Sequence, residues 1–245
     1  MTIEATKFYV RHREGYPELE MQDVARRGFL AMGVEVAPYE WGDDVFERMD
    51  DLGPTVGIAG YIGDVWKALD RLGVPHPEPV DYPEELRPFL GRSIHQATLG
   101  EVTRSVARVF VKPVQHKFFT GFVWDNTRTS RMRIVTVPPE TPVWVSDVVE
   151  FAAEFRCFVL DGEVLDVRRY NGDWWRTPDP EVVGSAVDAT YRSSRALALD
   201  FGVTRDGRTL LVEKNDGFAL GTYGLGHTHY ARMLSARWHE LTKEA

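Results

Sequence analysis

"LDFGVTRDGRTLLVEKNDG", residues 199–217, decides the fold. Two runs rich in Val, Leu and Phe flank Arg205-Asp206-Gly207-Arg208, and Asp-Gly in such a setting signals a β-hairpin with a two-residue turn. With Asp206-Gly207 as the loop, Phe201 is predicted opposite Val212, Val203 opposite Leu210, and Asp200 opposite Glu213. Two carboxylates then share one face. Like charges directly across a sheet repel, and Asn215, two residues beyond Glu213, points to the same side. Three oxygen-bearing side chains on an apolar hairpin suit a hard cation such as Mg²⁺, which takes one or two carboxylates and leaves the rest of its shell to phosphate and water. The competing reading is a solvated acidic pair eased by a bulge or by arginines. The glycine-rich continuation "NDGFALGTYGLG" allows backbone to approach a ligand closely.

The remaining composition narrows the class. The chain has 245 residues, 43% hydrophobic and 27% charged, with a formal charge of −8, which argues against a general nucleic-acid or anionic-membrane binder. The one cysteine, Cys157, lies in the apolar run "FRCFVLDG" and reads as a core residue, so no disulfide framework is expected. The N-terminus lacks an apolar signal region and no run of about 18 apolar residues occurs. A cytoplasmic location without membrane association is the expectation.

The first ninety or so residues alternate strand and helix patterns: "TKFYVRH", "VEVAPYEW" and "TVGIAG" as strands, "ELEMQDVARRGFLAMG" and "GDVWKALDRLG" as helices. This predicts a small α/β unit over 1–90 with a parallel sheet. "VPHPEPVDYPEELRPFLG" is a proline-rich linker ending in a short helix. "SIHQATLGEVTRS" is predicted helical, and "ARVFVKPV", "KFFTGFVW", "SRMRIVTV" and "TPVWVSDVV" as strands. A β-hairpin over "FAAEFRCFVLDGEVLDVRRYNGDWW" follows, then a helix over "PEVVGSAVDATYRSSRALAL", the opening hairpin, and a closing helix "THYARMLSARWHELTKE". The second half is therefore α+β, antiparallel sheets with helices, in two lobes over 91–142 and 143–245.

Two further segments carry chemistry. In "RVFVKPVQHKFFTGFV", Lys112 ends a β-branched run and Pro113 stops regular pairing, so the lysine can project over a phosphate, with Lys117 and the amides near Thr120-Gly121 assisting. An edge-strand lysine that discourages aggregation accounts for Lys112 equally well. In "VWVSDVVEFAAEFRCFVL", the strand through Val145 can offer backbone groups to a flat base. Glu154 and Arg156 share a strand face, and Arg156 can clamp phosphate with its planar fork. Arg168 and Arg169 add positive charge on the next strand; a surface ion-pair ladder is the alternative use of these residues.

In this order, "VFVKP", "VWVSD", Glu-x-Arg, then Asp-x12-Glu-x-Asn, the segments resemble the ATP-grasp superfamily, and the last is similar to the magnesium signature of D-alanine–D-alanine ligases and their relatives. The resemblance spans roughly residues 90–225, with the N-terminal unit in the place of the usual preceding domain. It implies ATP and Mg²⁺ as cofactors and an ATP-dependent carboxylate–amine ligase working through an acyl-phosphate with release of ADP and phosphate. Lys112 and Lys117 would contact phosphates, Val145 and Ser146 would present backbone to adenine, and Glu154 would lie near the ribose. Asp200, Glu213 and Asn215 would bind magnesium, Arg156 and Arg168 would stabilise the phosphate or acyl-phosphate, and the loop from Asp216 and Gly217 to Tyr223 would bind the acceptor. The partners implied are a small-molecule or peptide carboxylate and an amine; homodimerisation is left open.

The pattern also departs from the family. The loop "QHKFFTGF" is poor in glycine, no earlier phosphate-contacting lysine is evident, with Arg92 as its candidate replacement, and Ala198 stands where an arginine often precedes the metal Asp. A non-catalytic nucleotide-binding or partner-binding module and a small-molecule kinase stay open on these grounds. "GIAGYIG" at 57–63 is not the dinucleotide fingerprint and reads as a tight strand-to-helix turn. "HTH" at His227–His229 lacks the further ligands of a zinc site and reads as a helix entry.

Overall fold

The computed structural model describes residues 3–12, 20–42, 45–79, 81–115, 118–191 and 193–244. Strands β1 (Lys7–Arg11), β2 (Glu35–Tyr39) and β3 (Val56–Ala59) form a parallel sheet in the order β2-β1-β3. Helices α1 (Glu20–Ala31) and α2 (Ile62–Leu72) cover it. Parallel neighbours need crossovers, and the helical periodicity between the strands supplies them. The turn into α2 is tight: a Cβ on Gly60 would collide with the carboxylate of Asp64, which accepts from the Tyr61 amide at 2.6 Å and from Arg11 at 3.0 Å. The GIAGYIG stretch is thus a packed corner.

The second sheet is antiparallel, β4-β7-β5-β6, from β4 (Ile94–Thr98), β5 (Val109–Pro113), β6 (Phe122–Trp124) and β7 (Pro142–Ser146). Two sequence expectations fail here. The helix predicted over "SIHQATLGEVTRS" splits into β4 and a short α3 (Leu99–Arg104). Thr98 stops the strand by accepting from the Glu101 amide at 3.3 Å while the Glu101 carboxylate takes the Thr98 amide at 2.7 Å, a capping box. "SRMRIVTV", predicted as a strand, begins inside α4 (Arg128–Met132) and continues in turns. Thr127 caps α4, accepting from the Ser130 amide, while Ser130 and Ile134 bury a helical i, i+4 pair and Val135 stays exposed. The boundary expected after residue 142 runs through β7, whose partners β4 and β5 lie in this sheet.

The third sheet, β11-β10-β8-β9, is antiparallel and comprises β8 (Phe151–Leu160), β9 (Glu163–Gly172), β10 (Ala196–Thr204) and β11 (Thr209–Asp216). β10 lies between two partners and is buried along its whole length, which explains its nearly continuous apolar sequence. On one face Cys157, Leu197, Leu199 and Phe201 pack under α5 (Pro180–Ala189), the helix that ends ten residues before the predicted stretch does. On the other face Phe158, Leu160, Ala196 and Ala198 join the core of the N-terminal unit. The closing helix α6 (His227–Thr242) seals that junction: Trp238 Nε1 donates to the carbonyls of Gly53 and Val56, and a Cβ on Gly28 of α1 would clash with the His227 carbonyl. No helix among the described residues is long and apolar enough to cross a membrane.

Candidate active site

The opening hairpin forms, and its geometry explains its charges. The turn is a three-residue loop: the Gly207 amide donates to Thr204 O at 3.0 Å, the Thr204 amide to Arg208 O at 2.9 Å, and Gly207 takes φ +88°. This is a turn followed by a left-handed residue, the common three-residue hairpin. It shifts the register by one from that predicted, so Val203 pairs with Thr209 and Phe201 with Leu211. A bulge between Asp200 and Phe201 leaves Val212 unpaired and restores Asp200 opposite Glu213. A one-residue slip flips side chains to the other face. Without the bulge, Glu213 and Asp200 would lie on opposite sides of the sheet.

Arg92 holds the bulge. Its guanidinium donates to the carbonyls of Leu211 at 2.7 Å, Val212 at 3.0 Å and Leu90 at 2.9 Å. These bonds correct the expectation that Arg92 replaces a phosphate-contacting lysine, because its donors are committed to strand backbone.

Direct cross-strand partners line up Arg168, Arg156, Asp200 and Glu213 across the third sheet on one face. Arg156 grips Asp200 in a buried fork, Nε to Oδ1 at 2.8 Å and Nη2 to Oδ2 at 2.7 Å. Burial opposes the charge of Arg156, yet the hydrogen bonds and the charge of Asp200 more than offset it and raise its pKa. Asn215 Nδ2 lies 3.2 Å from Asp200 Oδ2 and 3.4 Å from Glu213 Oε1. The two carboxylates thus converge on one small donor.

The central sheet meets this row through Lys112, whose Nζ is 2.5 Å from Glu213 Oε2 and 3.1 Å from Asp81 Oδ2. Burial disfavours both charges, but each sustains the other: the Glu213 carboxyl is held below its ordinary pKa and the Lys112 ammonium above its own. Asp81 and Tyr82 come from the proline-rich linker, and sequence reasoning missed them. Tyr82 lies under Lys112 at 5.3 Å and stands edge-on to Trp144. Nothing in a linker Asp-Tyr-Pro signals such a role before the fold closes.

The other expected residues divide. Glu154 accepts from Tyr170 Oη at 3.2 Å and Asn171 Nδ2 at 2.8 Å, two residues along from Arg156. Arg168 stands beside Arg156 but is paired with Asp166 at 2.6 Å. Tyr223, in the left-handed region at φ +47°, covers the site: Arg156 lies over its ring at 5.0 Å and Tyr170 stacks on it. Asp216 and Gly217 do not join them. Asp216 pairs opposite Leu197, on the other side of β11 from Asn215, and both its oxygens are taken by Arg237 at 2.6 Å. A Cβ on Gly217 would collide with Ala196 O, so this glycine serves close packing. Val145 and Ser146 have strand partners on both sides, which commits their backbone to the sheet and corrects the expectation that they offer it to a base. Lys117 lies outside the described residues.

Among the described residues no group of three or more His, Cys, Asp or Glu gathers at one point. The donor set is two carboxylates and an amide, which fits a magnesium ion that shares its shell with phosphate and water. The fit is tested by the arrangement itself: an amide N–H already sits between the carboxylates, and a cation at that place would favour the Asn215 oxygen instead.

A fold of three such sheets, with a lysine from one meeting acidic residues of another, defines a nucleotide-grasping ligase architecture. The chain belongs to the ATP-grasp domain proteins: the model of one ATP-grasp domain family, the second of its clade, matches residues 89–233. No protein of curated function matches it by sequence. Among solved structures, the D-alanine–D-alanine ligase from Bacillus anthracis complexed with ATP is similar at 16% identity and TM-score 0.60, covering 98% of this chain and 99% of that one. D-cycloserine synthetase DcsG is similar at 12% identity and TM-score 0.62, covering 95% and 99%. The ATP-grasp ligase PsnB, complexed with minimal precursor, Mg and ADP, shows 14% identity and TM-score 0.52 over 97% and 99%.

Proposed function

We propose that the protein is an ATP-dependent carboxylate–amine ligase that forms an acyl-phosphate and releases ADP and phosphate. The observation that carries this reading is the meeting of Lys112 with Glu213 at 2.5 Å, beside the Asp200–Asn215 pair. It brings a phosphate-seeking cation and three candidate metal-binding groups to one point between two sheets. The fold similarities support it: the Bacillus anthracis ligase was solved with ATP, and PsnB with Mg and ADP.

In this reading Asp200, Glu213 and Asn215 hold magnesium, which supplies charge neutralisation to the phosphates. Lys112 leaves Glu213 and takes the phosphate as a point charge. Arg156, fixed by Asp200, faces the transferred phosphoryl group and stabilises the negative charge of the acyl-phosphate, with Arg168 next to it. Glu154 meets the ribose, and a base finds free backbone in segment 147–150, past the end of β7. Tyr223 excludes water over Arg156, and the amine attacks from its side. The substrates are a small-molecule or peptide carboxylate and an amine, and no protein nucleophile is needed. Sheet membership sets the proposed units at 1–90, 91–146 and 147–245.

A second reading is favoured by one observation: both carboxylates are already neutralised, Asp200 by Arg156 and Glu213 by Lys112. A module that binds nucleotide without turnover would retain such pairs. Isothermal titration with ATP, with and without Mg²⁺, on wild type and Glu213→Ala tests the site: magnesium-dependent binding lost in the variant supports it, and no binding by folded protein sinks it. ADP release on adding carboxylate and amine substrates together then separates the ligase from the silent module.

A further inference from the structure

A cavity of about 230 Å³ lies beyond the far side of β11 from the Asp200–Glu213 row, between α2, the linker and the Ser193–Ser194 turn. Its walls include two donors with no acceptor. Trp66 Nε1 is buried with no hydrogen-bond partner. The Lys214 side chain, facing the Leu199 side of the sheet, has no hydrogen bond or ion pair among the described residues. Burial lowers its pKa, an added sign that no acid in the wall satisfies it. The acids nearby are spoken for: Asp216 gives both oxygens to Arg237, and Asp81 pairs with Lys112. The hydroxyls of Ser193 and Ser194 donate to Thr190 O and Ala196 O. An unsatisfied buried donor is costly, so two of them lining one cavity call for an acceptor from outside.

We infer that this cavity is a binding site for a small monocarboxylate with a compact apolar body, held by Lys214 and Trp66. The chemistry selects the charge. One lysine and one indole N–H match a carboxylate, while Glu78, Asp81 and Asp216 in the same walls repel a dianion such as phosphate. The walls select the body: Ile62, Pro77, Pro79 and Phe218 are apolar, and the volume is several times the roughly 30 Å³ that one water takes in the liquid. The site is separate from the row of Asp200 and Glu213, yet tied to it through Asp81. The Asp81 carbonyl accepts from the Lys214 amide at 3.0 Å, and its carboxylate holds Lys112 at 3.1 Å.

The test is a titration of 15N-labelled wild-type protein with 4-methylpentanoate, following the Trp66 indole N–H signal assigned with Trp66→Phe. No nucleotide or metal is present, so the result is independent of the ATP reading. A saturable shift with the acid, absent with 4-methylpentanamide and with inorganic phosphate, is the expected result. Lys214→Met, its fold checked by the dispersion of the remaining signals, should weaken binding about tenfold or more, the worth of one hydrogen bond to a charged group. No saturable shift overturns the inference, as does an equal response to the amide or to phosphate, or unchanged affinity in folded Lys214→Met.

Discussion

Lys112 and Glu213 lie 101 residues apart in sequence, yet the lysine Nζ stands 2.5 Å from Glu213 Oε2. The lysine neutralises a carboxylate that the proposed function assigns to magnesium. Lys112 and a divalent cation therefore compete for Glu213, while lysine and ATP attract each other. Lys112→Met should bind Mn²⁺ alone roughly fivefold more tightly, because a partly buried ion pair is worth on the order of 1 kcal/mol. The same variant should bind ATP more weakly. Free Mn²⁺ followed by electron paramagnetic resonance, beside calorimetry with ATP, checks the two directions. A fall in Mn²⁺ affinity would show that Lys112 organises the carboxylates instead of competing for them.

Arg156 and Asp200 form the most deeply buried ion pair of the site, with side-chain exposures of 9% and 4%. Removing one partner strands a charge, whereas removing both does not. Arg156→Met should cost about 3–5 kcal/mol in urea unfolding, and Arg156→Met/Asp200→Leu should recover more than half of that loss. Additive losses in the double variant would mean that the pair contributes little beyond its separate packing.

Arg92 satisfies two carbonyls at the bulge, Leu211 O and Val212 O. Arg92→Met should lower stability by about 2–4 kcal/mol, since each stranded buried acceptor costs roughly 1–3 kcal/mol. Arg92→Lys should recover less than half, because an ammonium cannot reproduce the guanidinium fork. If Arg92→Met unfolds at the wild-type urea concentration, the bulge is held by the strand pairing alone.

The bulge also shows how far the sequence could be read. The hairpin, its acidic face and the order of lysine, Glu-x-Arg and Asp-x12-Glu-x-Asn were legible because residue spacing and strand periodicity carry them. Asp200 was predicted opposite Glu213 from a two-residue turn; the actual turn has three residues, and the bulge at Val212 cancels the shift. Local turn preference could not reveal that compensation, since the arginine that holds it lies in another sheet's entry segment. "SRMRIVTV" misled for a related reason: its alternation matches a strand, but Asp125 and Thr127 just before it cap a helix. Asp81 and Asp216 were hidden differently. Their roles depend on Lys112 and Arg237, partners that only the closed fold brings near.

Cys157 offers a pH test of burial in the third sheet. It lies under α5 beside Leu199, its direct partner on β10, and burial pushes its thiol from the ordinary 9.0 up to about 12. Below pH 9 the thiol is protonated in native and unfolded chains alike, so it adds no pH dependence. Above pH 9 the unfolded chain loses the proton and the native chain keeps it. Stability is then lost as pH rises, by about 1.4 kcal/mol per unit until the folded value is reached. Cys157→Ala removes this contribution and replaces it with a packing cost that does not depend on pH. The wild type should therefore lead at pH 8 and surrender about 1–2 kcal/mol of that lead by pH 10, with other titrating groups cancelling in the difference. Urea unfolding of both proteins across this range measures it. Parallel stability curves would place the thiol within reach of water in the native state.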